Sequence, residues 1–317
     1  MTTSLTIPWG MTFLPNGSAL VGQRRSGEVV RIPTSGGAPR GVGTVPGVSA
    51  VGEGGLLGLA TSPKFVDDKS IYAYLTTTVD NRVVRMTFDG STLTNPRVVL
   101  KGIPSGPTHD GGRIAFGPDG KLWITTGDTG DRSTAQNRSS LAGKILRVNP
   151  DGSTPSDNPF GSPVWAYGIR NSQGIAWDSQ GRPWATEFGQ SSRDELNLIV
   201  RGGNYGWPIV EGKSDDERFQ TPFVTWPTDE ASPSGVAILD DVAYVGALRG
   251  ERVWQVALTG AQAAKPAALF DGEFGRVRSV VAAPDRALWI TTSNRDGRGE
   301  PRAGDDRVVR LTVTERG

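Results

Sequence analysis

The chain carries one histidine, His109, within THDGGR at 108–113, and no cysteine. Imidazole is the side chain best suited to exchanging protons near neutral pH. The Gly-Gly pair that follows lets a ligand or another backbone approach closely. The strand expected to pair with this segment ends in TTGDTGD at 125–131. If the two form a hairpin, Asp128 returns to the level of His109 and can orient its ring, the base-and-orienter arrangement of general base catalysis. Gly-Asp also favours turns for their own sake, so a purely structural Asp128 stays open.

Of the 34 basic residues, 27 are arginine. Arg276 and Arg278 stand two apart in FGRVRSVV at 274–281, so on a strand they share a face. Arg170, in YGIRNSQG at 167–174, and Arg249, in GALRGERVW at 246–254, lie near the corresponding ends of their units. Converging guanidinium groups would bind a compact polycarboxylate or phosphate through forked hydrogen bonds; surface pairing with Asp or Glu is the alternative. The stretch EFGQSSRDELNLIVRGGNYGWP at 187–208 joins acidic side chains to a glycine-rich turn with free carbonyls, the oxygen donors that a hard cation such as calcium takes. It lacks DxDxDG order and is no EF-hand. GEGGLLG at 52–58 mimics a nucleotide loop, but no GK[ST] follows, so phosphate binding there is disfavoured.

The elements that must position these groups follow from composition and repetition. Glycine (43) and proline (22) together make about a fifth of the 317 residues, well above average usage, which implies many turns and few long helices. A unit of small residue, apolar strand, turn, second strand and third strand recurs six times, at 8–32, 54–88, 111–149, 173–200, 234–258 and 278–313. Its step of about 54 residues suits a propeller blade with its loops. Within each unit apolar and polar positions alternate, as at Ile114, Phe116, Leu122 and Ile124, and such a small sheet cannot bury both faces alone. The expected fold is all-β: a six-bladed β-propeller with four-stranded antiparallel blades, one domain over 1–317. A β-sandwich or irregular barrel is the competing fold. The segments 128–143 and 187–233 are too long for hairpins and are expected to carry the site.

Charge narrows the partners. With 34 basic and 33 acidic residues, nothing favours nucleic acid or an anionic membrane surface. No run approaches 18 apolar residues, and MTTSLTIPWG lacks the basic-then-apolar form of an export signal, so a soluble chain is expected.

Taken together, EGGLLGLA (53–60), HDGGRIAFGPDGKLWITTGD (109–128), LAGKILRVNPDGSTPSDNPF (141–160), YGIRNSQG, EFGQSSRDELNLI (187–199), NYGWP (204–208) and GRVRSV (275–280) make the chain resemble the glucose/sorbosone dehydrogenase family. Within that family it is similar to the soluble aldose sugar dehydrogenases that use pyrroloquinoline quinone (PQQ). The resemblance implies His109 as catalytic base with Asp128 as its partner. It implies Arg170, Asn171, Arg249, Arg276 and Arg278 as cofactor contacts, with Trp226 and Thr228 on a loop over the quinone. Glu53 is a further cofactor contact, standing where many members have Gln. It also implies an active-site calcium on main-chain oxygens at Gly189 and Gln190, and a second at Glu195 and the carbonyl of Tyr205.

The implied reaction oxidises an aldose at its anomeric carbon to a lactone, with an unidentified electron acceptor, a monomer or dimer, and a periplasmic or extracellular location. Asp110 and Ile169 also depart from the family pattern, which implies an altered substrate side of the pocket. Two rival readings remain: a calcium-dependent lactonase-type propeller, which has no use for the arginine set, and a non-catalytic carbohydrate-binding propeller.

Overall fold

Six short antiparallel sheets follow one another along the chain of the computed structural model, which describes residues 2–259 and 265–312. The first blade is Pro8–Phe13, Ala19–Gln23, Glu28–Ile32 and Arg40–Thr44. The second is Leu56–Thr61, Ser70–Thr76, Asn81–Phe88 and Leu93–Ile103, and the third Ile114–Phe116, Leu122–Thr125, Lys144–Val148 and Val164–Tyr167. Gly174–Trp177, Pro183–Glu187, Arg193–Leu198 and Val224–Pro227 make the fourth, and Pro233–Leu239, Val242–Ala247, Arg252–Ala257 and Ala267–Leu269 the fifth. The sixth has three named strands, Val277–Ala282, Leu288–Thr292 and Val308–Leu311. Thr2 completes it, exchanging both backbone hydrogen bonds with Val308 at 2.9 Å, so the two chain ends clasp one blade. Val313, the last residue of the sixth repeat, lies outside the described residues.

The first strand of each blade contacts the first strand of the next, and Val277–Ala282 returns to Pro8–Phe13, which closes the ring. Close approach there explains the small residue that opens each repeat: a Cβ at Gly58 would collide with the backbone of Gly112 and Ile114 in the next blade. Six apolar clusters fill the interfaces between neighbouring blades. One joins Leu20 and Val29 to Leu56 and Ile71, and another joins Met11 and Val21 to Trp289. Each twisted sheet thus buries both faces against its neighbours, the solution radial stacking offers to a sheet too small to stand alone.

Of the long segments, 128–143 is a connection that includes the short helix Ser133–Gln136. The segment 187–233 is only partly loop, because Arg193–Leu198 and Val224–Pro227 are the outer strands of the fourth blade. Among the described residues no helix is long and apolar enough to cross a membrane.

Candidate active site

The entry loops of successive blades meet around a cavity of about 610 Å³, to which every blade or its flanking loops contribute. His109 lines it from the entry to the third blade. Its backbone is left-handed, φ 59°, a conformation that costs energy in a residue with a Cβ and persists only where neighbours hold it. Glu53 Oε2 accepts the His109 N–H at 2.9 Å, and the His109 carbonyl accepts from Thr129 N–H at 3.3 Å. The ring lies with Nδ1 2.6 Å from Asp128 Oδ1.

Asp128 is fully buried. Burial alone would raise its pKa, but hydrogen bonds from His109, from Gly130 N–H at 2.9 Å and from Trp207 Nε1 at 2.8 Å hold the carboxyl below its ordinary value. An ionised acceptor at Nδ1 fixes the proton there and leaves Nε2 as the basic nitrogen, which has no protein partner among the described residues.

Six arginines line the cavity, Arg24, Arg170, Arg249, Arg276, Arg278 and Arg298, against two carboxylates, Glu53 and Asp296. Buried Arg278 is pushed down to about 9, chiefly by desolvation, with Asp296 opposing the shift and Arg276 adding to it. It donates to Gln173 Oε1 at 2.7 Å and packs over the Trp9 ring at 5.8 Å. The Nε atoms of Arg24, Arg170, Arg276 and Arg278 are buried with no partner. Arg249 is exposed and makes no hydrogen bond or ion pair among the described residues. Asn171 spends Oδ1 on the Gly111 N–H at 3.1 Å, which leaves its amide NH₂ to donate. Such an excess of donors, held ready and unsatisfied, is the arrangement a polyanionic ligand completes.

Glu53 does not face this cluster as a bare charge. Arg298 donates to its Oε1 at 2.7 Å, and although burial would raise its pKa, the His109 N–H and Arg298 bring it below the ordinary value. Its negative charge is therefore largely compensated.

Two expected cofactor contacts, Trp226 and Thr228, are not among the residues that line the cavity. Trp226, only 3% exposed, pairs with Asp194 in the fourth blade and packs against Trp254 of the fifth, ring centroids 6.1 Å apart. Thr228 follows it and does not line the cavity. Apolar packing between blades claims the indole that was expected over the cofactor. The two family departures also lie behind the wall: Ile169 is a core residue beside Ile145 and Ile175, and Asp110 is buried.

Asp110 Oδ1 accepts from Asn81 Nδ2 at 2.8 Å and from Gly106 N–H at 3.2 Å, while Oδ2 has no partner. Burial pushes this carboxyl up to about 6 from 3.8. Below pH ~4 the group is protonated in both folded and unfolded chains and costs nothing. As pH rises through the folded value the native state loses up to about 3 kcal/mol relative to the unfolded one. Asp110→Asn should therefore raise the unfolding midpoint at pH 7.5 and leave it nearly unchanged at pH 4; equal effects at both would contradict this account.

Gly189 and Gln190 follow directly on Phe188, which lines the cavity, whereas Gly189, Gln190, Glu195 and Tyr205 are not themselves among its lining residues. Glu211 Oε1 accepts N–H groups from Gln190, Ser191, Ser192 and Arg193 at 2.7 to 3.1 Å, drawing the turn's donors to one side. Among the described residues nothing donates to the carbonyls of Gly189 and Gln190. Glu195 is opposite Glu187 in the ladder and accepts from Asn197 Nδ2 and the Gly212 N–H. Burial, and for Glu187 the adjacent Glu195, push both carboxyls up. No group of three His, Cys, Asp or Glu side chains is placed to hold a metal among the described residues, so any cation here relies on main-chain oxygens as well.

Sequence reasoning missed Arg24, Asp296, Arg298 and the Trp207–Asp128 bond. The only signal for the first three was the density of charge and glycine at 294–302 and the paired arginines after the second strand.

A family model for glucose/sorbosone dehydrogenase matches residues 5–301. The chain is 49% identical to the PQQ-bound aldose sugar dehydrogenase of Streptomyces coelicolor, with a TM-score of 0.95 covering 98% of this chain and 95% of that one. It is 29% identical to the aldose sugar dehydrogenase YliI of Escherichia coli over 92% of this chain and 88% of that one. Quinoprotein glucose dehydrogenase B of Acinetobacter calcoaceticus is 33% identical over 68% of this chain and 53% of that one.

Proposed function

The chain belongs to the glucose/sorbosone dehydrogenase family, and from that premise we propose that it oxidises aldose sugars at the anomeric carbon to lactones, with PQQ and calcium held at the propeller mouth. The observation that carries this reading is the meeting, around one cavity, of a base-and-orienter pair with six guanidinium groups.

PQQ is flat and carries three carboxylates. The residues present suit such a group: four lining arginines keep an unpartnered buried Nε, and Trp9 and Phe188 add aromatic surface. Arg170, Arg249, Arg276, Arg278 and Asn171 would hold its carboxylates and carbonyls. Calcium would sit on the main-chain oxygens of Gly189 and Gln190, and a second ion at Glu195 and the Tyr205 carbonyl would offset the crowding of Glu195 with Glu187. When bound, PQQ supplies the two-electron acceptor for the hydride that leaves carbon 1.

The protein's own work is acid–base. His109 Nε2 takes the anomeric hydroxyl proton as the hydride departs, so the C1–O bond becomes the lactone carbonyl. Asp128 retains the proton on Nδ1 and stabilises the imidazolium that forms. Glu53 fixes the His109 backbone. The family likeness also favours action in the periplasm or outside the cell, with an acceptor still to be identified.

Reconstituting the apo chain with PQQ and calcium, then following aldose-dependent dye reduction, tests the proposal. Reduction should require both PQQ and calcium and should fall when a chelator removes the metal. Lactone hydrolysis without PQQ would replace the reading with a hydrolase, and neither activity would leave a binding propeller.

A further inference from the structure

Asp296 is a carboxylate placed inside an anion site. Its side chain is only 4% exposed and lines the cavity. Its Oδ2 lies 3.2 Å from Arg276 Nη2, 3.3 Å from Arg278 Nη2 and 3.1 Å from Ser293 Oγ, while Oδ1 accepts the Arg298 N–H at 2.9 Å. The loop that carries it is rooted firmly. Asn294 bonds Asp306 through its N–H, Phe274 and Asp305 through its amide NH₂, and the Arg276 N–H through Oδ1. Two residues beyond Asp296, Arg298 reaches Glu53 from the same loop. One short segment thus puts a negative group against the arginine pair and a positive group against Glu53.

We propose that Asp296 is a resident counter-anion of Arg276 and Arg278, holding their charges in check without a ligand and competing with the carboxylates of PQQ for the same guanidinium nitrogens, so that it sets cofactor affinity. This rests on the PQQ reading above. Two effects oppose each other when the carboxylate is removed. Lost alignment of the arginines would weaken binding, and lost competition would strengthen it. Alignment has other supports, since Arg276 also donates to the Leu248 carbonyl at 3.3 Å and Arg278 to Gln173 Oε1 at 2.7 Å. The charge has no such redundancy, because Asp296 is the one carboxylate within ion-pair distance of either arginine among the described residues. Competition therefore dominates. A carboxylate beside an arginine within a few ångströms has its ionisation equilibrium shifted by about 10- to 1000-fold, which sets the scale of what Asp296 withholds from a second carboxylate.

The test measures PQQ binding to the apo chain by quenching of tryptophan fluorescence, with unfolding midpoints of apo and loaded protein. Asp296→Asn and Asp296→Ser should each bind PQQ at least about tenfold tighter than the parent. Each should also melt lower without PQQ and gain more on loading, because the arginines then lack a partner until the cofactor arrives. Asp296→Glu, which keeps the charge, should stay near parent affinity. Asp285→Asn, which removes a charge paired with Arg310 away from the cavity, should change nothing. Unchanged or weaker binding in whichever neutral variant is soluble overturns the inference while the cofactor reading stands. Failure of the parent itself to bind PQQ overturns that reading instead.

Discussion

Replacing His109 with alanine in the PQQ-loaded protein should lower turnover with an aldose by about 10²- to 10⁴-fold, roughly 3–5 kcal/mol on the barrier, with PQQ affinity changed only a few-fold. The asymmetry follows from the site. In the proposed reading cofactor binding draws on the guanidinium groups that line the cavity, and the imidazole contributes no charge-paired contact to them. Proton removal has no substitute. The other basic groups at the cavity, Glu53 and Asp296, are carboxylates paired with Arg298 and with Arg276 and Arg278; the His109 N–H together with Arg298 keeps Glu53, and Arg278 with Arg276 keeps Asp296, below the ordinary pKa. A carboxylate so stabilised is a poor base for a hydroxyl. Steady-state dye reduction beside fluorescence titration of PQQ checks both halves. Unchanged turnover would remove His109 from the chemistry, and equal losses of turnover and affinity would make it a cofactor ligand.

The ring of blades could be read in the sequence because its causes are local and periodic: alternation within strands, turns between them and a small residue where neighbouring backbones meet. Asp128 could be read for the same reason, since hairpin return places it without knowledge of distant contacts; Arg276 and Arg278 do share Asp296, but Arg276 precedes Val277–Ala282 and Arg278 sits at that strand's register shift, so strand parity alone does not place them. What the sequence left open depended on which face meets which. Trp226 looks the same in sequence whether it covers a cofactor or packs on Trp254, and only the register with Asp194 and the neighbouring blade decides. Ile169 shares its segment with Arg170, but Ile169 enters the core while Arg170 lines the cavity. The bond from Trp207 to Asp128 spans 79 residues through a loop without periodicity, and Asp296 and Arg298 sit in a connection whose path no strand pattern specifies.

Arginine losses at this cavity should be graded by burial, and Arg278→Met should cost most. Arg278 has a side chain 7% exposed, donates to Gln173, stacks on Trp9 and shares Asp296 with Arg276. Methionine keeps much of the apolar stem but leaves a polyanion, Gln173 Oε1 and part of Asp296 without their buried cation. Truncating one partner of a buried, hydrogen-bonded charge pair costs about 2–5 kcal/mol, so PQQ affinity should fall by about 30-fold to several thousandfold. Arg276→Met, at 8% exposure and with the same carboxylate partner, should fall in the same range. Arg249 is different: exposed and unpaired, it acts through water and mobile ions, and Arg249→Met should cost about tenfold or less. Salt separates the two classes. Raising ionic strength should erode the Arg249 contribution, because screening reaches an exposed charge, and leave the Arg278 contribution nearly intact. PQQ titrations of the three variants at low and high salt read both axes. Equal losses that all vanish with salt would place the guanidinium groups on an open surface and remove the buried polycarboxylate site on which the dehydrogenase reading depends.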